Sequence, residues 1–172
     1  MITLYRRDEQ VWNYREAWYD EAAGEFVVHH GALGANGKLS SEKAGAEDAE
    51  QLLESFIAQC RADGFNEAPE EAQVQLRLLY PLKGAAPSAS EQRNIGAVHR
   101  DVLATLAWRG LGLLSDPVIE PHESGHASVM RLTTLHQGKA REAVKAAVRG
   151  GDVPASKIQL HLDPDRAGRP GQ

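Results

Sequence analysis

A short apolar run that breaks into three evenly spaced glycines is the feature that most limits how this chain can fold. Residues 26–30 read Phe-Val-Val-His-His, and Gly31, Gly34 and Gly37 follow. Phenylalanine and valine favour strands, whereas glycine reaches positive φ angles without steric cost. The pattern therefore predicts a strand that leads into a tightly turned antiparallel hairpin.

The residues around this run predict a small sheet covered by one helix. Aromatic and polar residues alternate from Trp12 to Trp18, and the polar segment 38–43 suits an edge strand. Further along, the apolar period becomes helical, and the expected inward stripe is Leu52, Leu53, Phe56, Ile57 and Cys60. Gly64 is placed to end this helix, so that Phe65 folds back onto the stripe.

The rest of the chain predicts a second unit with its own sheet. Residues 66–72 are polar and contain Pro69, which indicates a domain boundary. The following periods give the order strand, helix, strand, strand, helix, strand, with two of the strands at 113–120 and 127–135. This is the βαββαβ order of a ferredoxin-like sandwich. We expect an α+β protein with domains at residues 1–68 and 73–163 and a disordered tail at 164–172.

Charge and composition restrict the kind of partner. Of the 172 residues, 42% are hydrophobic, and the net charge is −5. Residues 1–70 contain 6 lysines and arginines against 14 aspartates and glutamates, which disfavours a polyphosphate ligand there. The single cysteine, Cys60, is expected in the core and fits a reducing cytoplasm, and no apolar run is long enough for a membrane span.

The order strand, glycine loop, acidic helix and Gly64-Phe65 resembles the WGR family, over residues 3–68. In the segment His30-Gly31-Ala32-Leu33-Gly34, the two glycines match the family motif, but His30 stands where the tryptophan belongs and Ala32 where the arginine belongs. The family includes DNA-break-activated polymerases and stand-alone bacterial proteins. The resemblance implies a WGR-like antiparallel sheet with a helix. It does not carry over the DNA contacts, because alanine cannot bind a phosphate.

The segment His122-Glu123-Ser124-Gly125-His126 is a literal HExxH motif of zinc peptidases. That chemistry needs both histidines on one helical face, with the glutamate as general base. Pro117 and Pro121 disfavour a helix here, and a hairpin would separate the two imidazoles. A zinc hydrolase on His122, Glu123 and His126 is kept as an alternative hypothesis.

Two further groups of residues are candidates for binding. The adjacent His29 and His30 should point to opposite faces of a strand, one packed and one exposed. Cations along the two helices of the second unit, among them Arg100 and Lys145, form the only basic surface that the sequence suggests. The candidate binding residues are therefore His30, Gly31, Gly34, Arg100 and Lys145.

The sequence as a whole favours a non-enzymatic, cytoplasmic protein that acts as a protein-interaction or regulatory module. We expect another protein as its partner, with no cofactor and no membrane. DNA or RNA binding through the cationic second unit is the first alternative, and the zinc hydrolase is the second.

Overall fold

The computed structural model of the protein describes residues 1–123 and 125–163, which divide into two compact units. The first unit is Met1–Ala72 and the second begins at Gln73. Each contains a four-stranded antiparallel sheet, and the described residues form three α-helices, so the predicted α+β class is confirmed. None of these helices is long and apolar enough to cross a bilayer. The predicted tail, residues 164–172, lies outside the described residues.

The first unit is a four-stranded meander followed by one helix. Its sheet follows chain order, with β1 at Ile2–Asp8, β2 at Val11–Asp20, β3 at Glu25–Ala32 and β4 at Lys38–Lys43. The predicted edge strand is confirmed, since β4 ends the sheet and all its residues are exposed. Helix α1 spans Ala46–Ala62.

Helix α1 ends as predicted but buries less of its apolar stripe than predicted. Gly64 has a φ of +84°, and the Phe65 N–H donates to the Cys60 carbonyl at 2.8 Å. Phe65 then joins Leu4 and Cys60 in a buried cluster. Of the predicted stripe only Cys60 is fully buried, and the remaining members are half-buried: Leu52, Leu53, Phe56 and Ile57.

The second unit has the element order β5, α2, β6, β7, α3, β8. The strands are β5 at Val74–Pro81, β6 at Val118–His122, β7 at Gly125–Thr134 and β8 at Gln159–Leu162. Helix α2 spans Ala89–Ala107 and α3 spans Gln137–Gly150. The sheet order is β6-β7-β5-β8, and every neighbouring pair is antiparallel.

One predicted strand of the second unit begins too early. Residues 113–117 were expected in the strand, but β6 starts only at Val118, after Pro117. The preceding Gly112 has a φ of +107°, and Leu114 makes only an isolated bridge to Leu132. Proline and a left-handed glycine therefore interrupt the regular pairing that the apolar pattern suggested.

The core of the second unit lies between its sheet and the two helices. Apolar side chains of α2 and α3 are buried with the alternate residues of β5 and β7 that face them, including Leu76, Leu78, Met130 and Leu132. Ser88 caps α2 in a reciprocal capping box with Glu91. The other face of the sheet, called the open face below, carries charged side chains beside a small buried cluster of Leu79, Ala127 and Val129.

Candidate functional site

The loop between β3 and β4, residues 33–37, is called the glycine loop. It covers two polar side chains of the sheet. Gly34 has a φ of +87°, which suits the tight turn predicted there. A Cβ atom on Gly37 would lie 2.1 Å from His29 Nε2 and 2.2 Å from Tyr14 Oη. Gly31 is also close, since a Cβ there would lie 3.1 Å from the Gly37 Cα. The loop can approach Tyr14 and His29 this closely only because Gly37 has no side chain.

Beneath the loop, three buried side chains of the sheet and the half-buried Thr3 form a polar network. Tyr14 Oη lies 3.1 Å from His29 Nε2, and His29 Nδ1 lies 2.6 Å from Glu16 Oε1. The Thr3 hydroxyl donates to Glu16 Oε2 at 3.2 Å. Tyr14, Glu16 and His29 are 1%, 7% and 2% exposed, so the network is shielded from solvent.

Tyr5 and Tyr14 are paired on neighbouring strands, on the face of the sheet that carries the network. Both stay protonated at neutral pH. Burial, and then the nearby Glu16 carboxylate, raise the pKa of Tyr5 to about 12. The pKa of Tyr14 is also raised, first by burial and then by the charges of Glu16 and Tyr5. A phenol that keeps its proton is a hydrogen-bond donor or acceptor and not a nucleophile. The network is thus suited to fixing the sheet and its loop.

Sequence reasoning missed this network, although part of its signal was visible. The expectation for the histidine pair is confirmed, because His29 is buried and His30 is exposed. Tyr14 and Glu16 both occur at alternate positions of the aromatic strand, which places them on one face. The missing information was the register that sets Glu16 directly opposite His29.

The residues at the WGR signature positions lie on the opposite face of the same sheet. His30 is paired with Arg15 on one side and Lys38 on the other, and Ala32 is paired with Asn13. Arg15 stacks on the ring of Phe65 at 4.3 Å and pairs with Asp63, so this face is the one that meets the end of α1. His30 is exposed, whereas Gly31 packs against Gly37 and Tyr14, and Gly34 takes the positive φ of the turn.

The HExxH segment belongs to a hairpin. Strand β6 ends at His122 and β7 begins at Gly125. His126 is paired with Pro121, the residue before His122, so the two imidazoles point to opposite faces. Within the described residues there is no group of three or more His, Cys, Asp or Glu side chains that could hold a metal ion. His122 and His126 therefore do not share one face, as the two histidines of a zinc peptidase do.

Charged residues extend across the open face of the second sheet. Glu120 accepts from Arg77 at 2.8 Å and from Arg131 at 2.7 Å, and Arg131 lies 3.5 Å from Asp163. A shallow cavity of about 590 Å³ adjoins Arg77, His122 and His161. Its charges are mixed, and Arg77 is already paired with Glu120.

The structure does not bring the predicted cations Arg100 and Lys145 to one site. Arg100 is on the exposed side of α2, 3.8 Å from Asp101. Lys145 instead borders a groove of about 470 Å³ between α3 and the segment that leads into β8. Two cations, Lys145 and Arg149, line the groove. The other lining residues are apolar: Val144, Val148, Ala155, Ile158 and Leu160.

The two cations of this groove are available to a ligand. Lys145 and Arg149 are both exposed, and neither has an ion-pair partner among the described residues. None of the described residues that line the groove is acidic. Arg149 Nε donates back to the Lys145 carbonyl at 3.2 Å, which keeps its guanidinium at the rim. This groove was not predicted, because Ile158 and Leu160 reach α3 only through the pairing of β8 with β5.

Comparison with protein-family models, with curated proteins and with solved structures finds no match for the chain.

Proposed function

We propose that this chain is a non-enzymatic protein-binding module. The observation that supports the proposal is the groove between α3 and β8, where an apolar floor lies beside Lys145 and Arg149. Protein interfaces combine a buried apolar centre with a polar rim in this way. The exposed cations, which have no described carboxylate partner, indicate that the bound segment carries negative charge.

The groove favours a protein over a nucleic acid. Nucleic-acid affinity comes largely from many lysines and arginines along one surface. Here Lys145 and Arg149 flank aliphatic side chains, and Arg100 is not among the residues that line the groove. The described lining contains no aromatic residue on which a base would stack. DNA or RNA binding remains the alternative hypothesis.

Two further observations favour binding over catalysis. The Tyr14–His29–Glu16 network combines groups typical of acid–base catalysis, but it is buried under Gly37. The histidines of the HExxH segment face opposite sides of a hairpin. Neither arrangement presents a nucleophile or general base to a substrate.

The fold family and the location belong to the same proposal. The strand order β6-β7-β5-β8 and the order of helices support a ferredoxin-like second unit. The meander, its glycine loop and a helix ending in Gly64-Phe65 support a WGR-like first unit. A cytoplasmic location is supported by the single, buried Cys60.

The proposal is tested by fluorescence anisotropy with the 172-residue chain. The probes are a labelled peptide with a Val-Ile-Val centre flanked by glutamates, the same peptide with lysines for glutamates, and a duplex DNA. We expect binding of the acidic peptide only, weakened about tenfold or more by the double variant Lys145→Glu/Arg149→Glu. The matched control, Arg93→Glu/Arg100→Glu, makes the same charge change on α2 and should bind normally.

The opposite pattern would support the alternative. If duplex DNA bound more tightly than the acidic peptide, and the Arg93→Glu/Arg100→Glu variant lost that binding, the cations of α2 would be the functional surface. The proposed protein-binding role would then be wrong.

A further inference from the structure

We infer that the groove binds its partner as an added β-strand: an extended acidic segment that pairs with the free edge of β8. The inference rests on the proposed function and specifies how the partner is held. Strand addition uses backbone hydrogen bonds for affinity and side-chain pockets for specificity. The structure supplies an unpaired edge, an adjoining apolar floor and a cationic rim.

Strand β8 lies at the edge of its sheet and contributes Leu160 to the groove. Strand β8 is the last strand in the sheet order, and it pairs only with β5 among the described strands. The Asp163 N–H donates to the Gln75 carbonyl at 3.0 Å. Bonding to the neighbour alternates along an antiparallel strand, so the backbone groups of Leu160 and Leu162 point away from β5. They offer the donors and acceptors that an added strand requires.

One of these outward backbone groups, the Leu160 carbonyl, already accepts a hydrogen bond from a side chain. The Arg141 guanidinium donates to the Leu160 carbonyl at 3.2 Å. A charged side chain over an edge is a common protection against unwanted pairing. An incoming backbone N–H would take over this carbonyl, and the released guanidinium would add a third cation beside Lys145 and Arg149.

The side chains beside the edge define what the added segment must contain. Ile158 and Leu160 occupy alternate positions, and both line the groove beside α3. With Val144 and Val148 from the helix, they give apolar side chains of the added segment a surface to contact. Ile158 and Leu160 are only half-buried, which leaves apolar area for a partner to cover.

Charge complementarity selects an acidic segment over a neutral or basic one. Lys145 and Arg149 lie one helical turn apart at the rim, and no described lining residue is acidic. Carboxylates flanking an apolar centre would form charge-assisted hydrogen bonds with these cations. The partner is therefore an extended peptide segment with apolar residues at its centre and glutamate or aspartate on both sides.

Backbone methylation of the peptide tests strand addition directly. Two forms of the Glu-flanked Val-Ile-Val peptide are made, N-methylated at alternate amides in the two complementary sets. A strand offers only one set of N–H groups to its neighbour, so we expect one form to bind about tenfold or more weakly and the other to bind normally. Affinities are measured by fluorescence anisotropy with the 172-residue chain.

A protein variant provides an independent test. Leu160→Pro removes the outward N–H at the edge without removing a bond to β5, and Leu160→Val is its control with the N–H retained. We expect the proline variant to lose peptide binding while its circular dichroism stays that of the wild type. If the variant does not fold, the methylated peptides still decide the matter.

The outcomes separate this inference from the proposed function. Equal weakening of both methylated peptides, or of neither, would show that the segment does not add as a strand, while binding that depends on Lys145 and Arg149 would keep the protein-binding role. Absence of acidic-peptide binding to the wild type, or binding that survives Lys145→Glu/Arg149→Glu, would overturn the proposed function itself.

Discussion

The two sheets of this protein place their charged and polar side chains in opposite environments. In the first, His29 lies under the Gly37 loop and is hydrogen-bonded to Glu16, and the histidine is 2% exposed. In the second, the side chains of Arg77 and Glu120 are 20% and 23% exposed on an open face. Water can replace a lost partner on the second sheet but not on the first. The same type of interaction should therefore contribute very differently to stability in the two units.

The largest effect is expected when His29 is removed from the buried network. His29→Ala leaves the Glu16 carboxylate and the Tyr14 hydroxyl buried without their shared partner, so the free energy of unfolding should fall by about 3–5 kcal/mol. The measurement is urea denaturation in a Trp108→Phe background, where Trp12 and Trp18 report on the first unit.

A double-mutant cycle identifies the cause of that loss. Glu16→Ala combined with His29→Ala should cost much less than the sum of the single changes, because no buried charge is left unpaired. Additive costs would mean that the two side chains do not act as a pair.

A smaller loss of stability is expected when an added side chain displaces the loop above the network. In Gly37→Ala the new Cβ would lie 2.1 Å from His29 Nε2, so the loop or the ring must shift. Overpacking of this kind should lower the free energy of unfolding by about 1–3 kcal/mol. The matched control in the same unit is Gly45→Ala, whose Cβ would meet only the Asp48 and Glu47 side chains, at 3.4 Å or more. Equal stability of the two variants would contradict the close approach of the loop.

The sequence predicts more of the secondary structure than of the tertiary contacts that form the buried network and the groove. Periodicity locates the strand of Trp12 and Trp18 and the helix of Phe56, and Gly64 marks the end of that helix, because each depends on neighbouring residues. The Glu16–His29 pair depends on hairpin register, and the groove of Lys145 depends on β8 reaching the sheet edge. Local patterns do not encode such distant neighbours, so both contacts appear only once the strands are paired.

A buried carboxylate in the second unit gives a comparison for Glu16. Glu91 is 6% exposed, and it accepts hydrogen bonds from the Ser88 hydroxyl, the Ser88 N–H and the Lys83 N–H. These donors, led by the Ser88 hydroxyl, lower the pKa of Glu91 to about 2. Removing the cap in Ser88→Ala should lower the free energy of unfolding by about 1 kcal/mol.

The same carboxylate should make stability depend on pH with a defined sign. The pKa of Glu91 is lower in the folded chain, about 2, than the 4.5 of an unperturbed glutamate. Its ionised form therefore stabilises the fold above pH 4.5, and this contribution is lost as the pH falls from 4.5 toward 2. In urea titrations, wild type and Glu91→Gln should differ by a constant amount above pH 5 and converge below it. A difference that grows on acidification would contradict the assigned hydrogen bonds.

The smallest effect is expected on the open face of the second sheet. Glu120 pairs with Arg77 at 2.8 Å and with Arg131 at 2.7 Å, but water reaches all three side chains. Glu120→Gln keeps the shape of the side chain and removes its charge, so the free energy of unfolding should change by no more than about 1 kcal/mol. Added salt should reduce this difference further, because exposed ion pairs are screened. The test is urea denaturation of the two proteins at low and high salt. A loss as large as that of His29→Ala, unchanged by salt, would mean that the open face is as shielded as the buried network, and the contrast between the two sheets would be wrong.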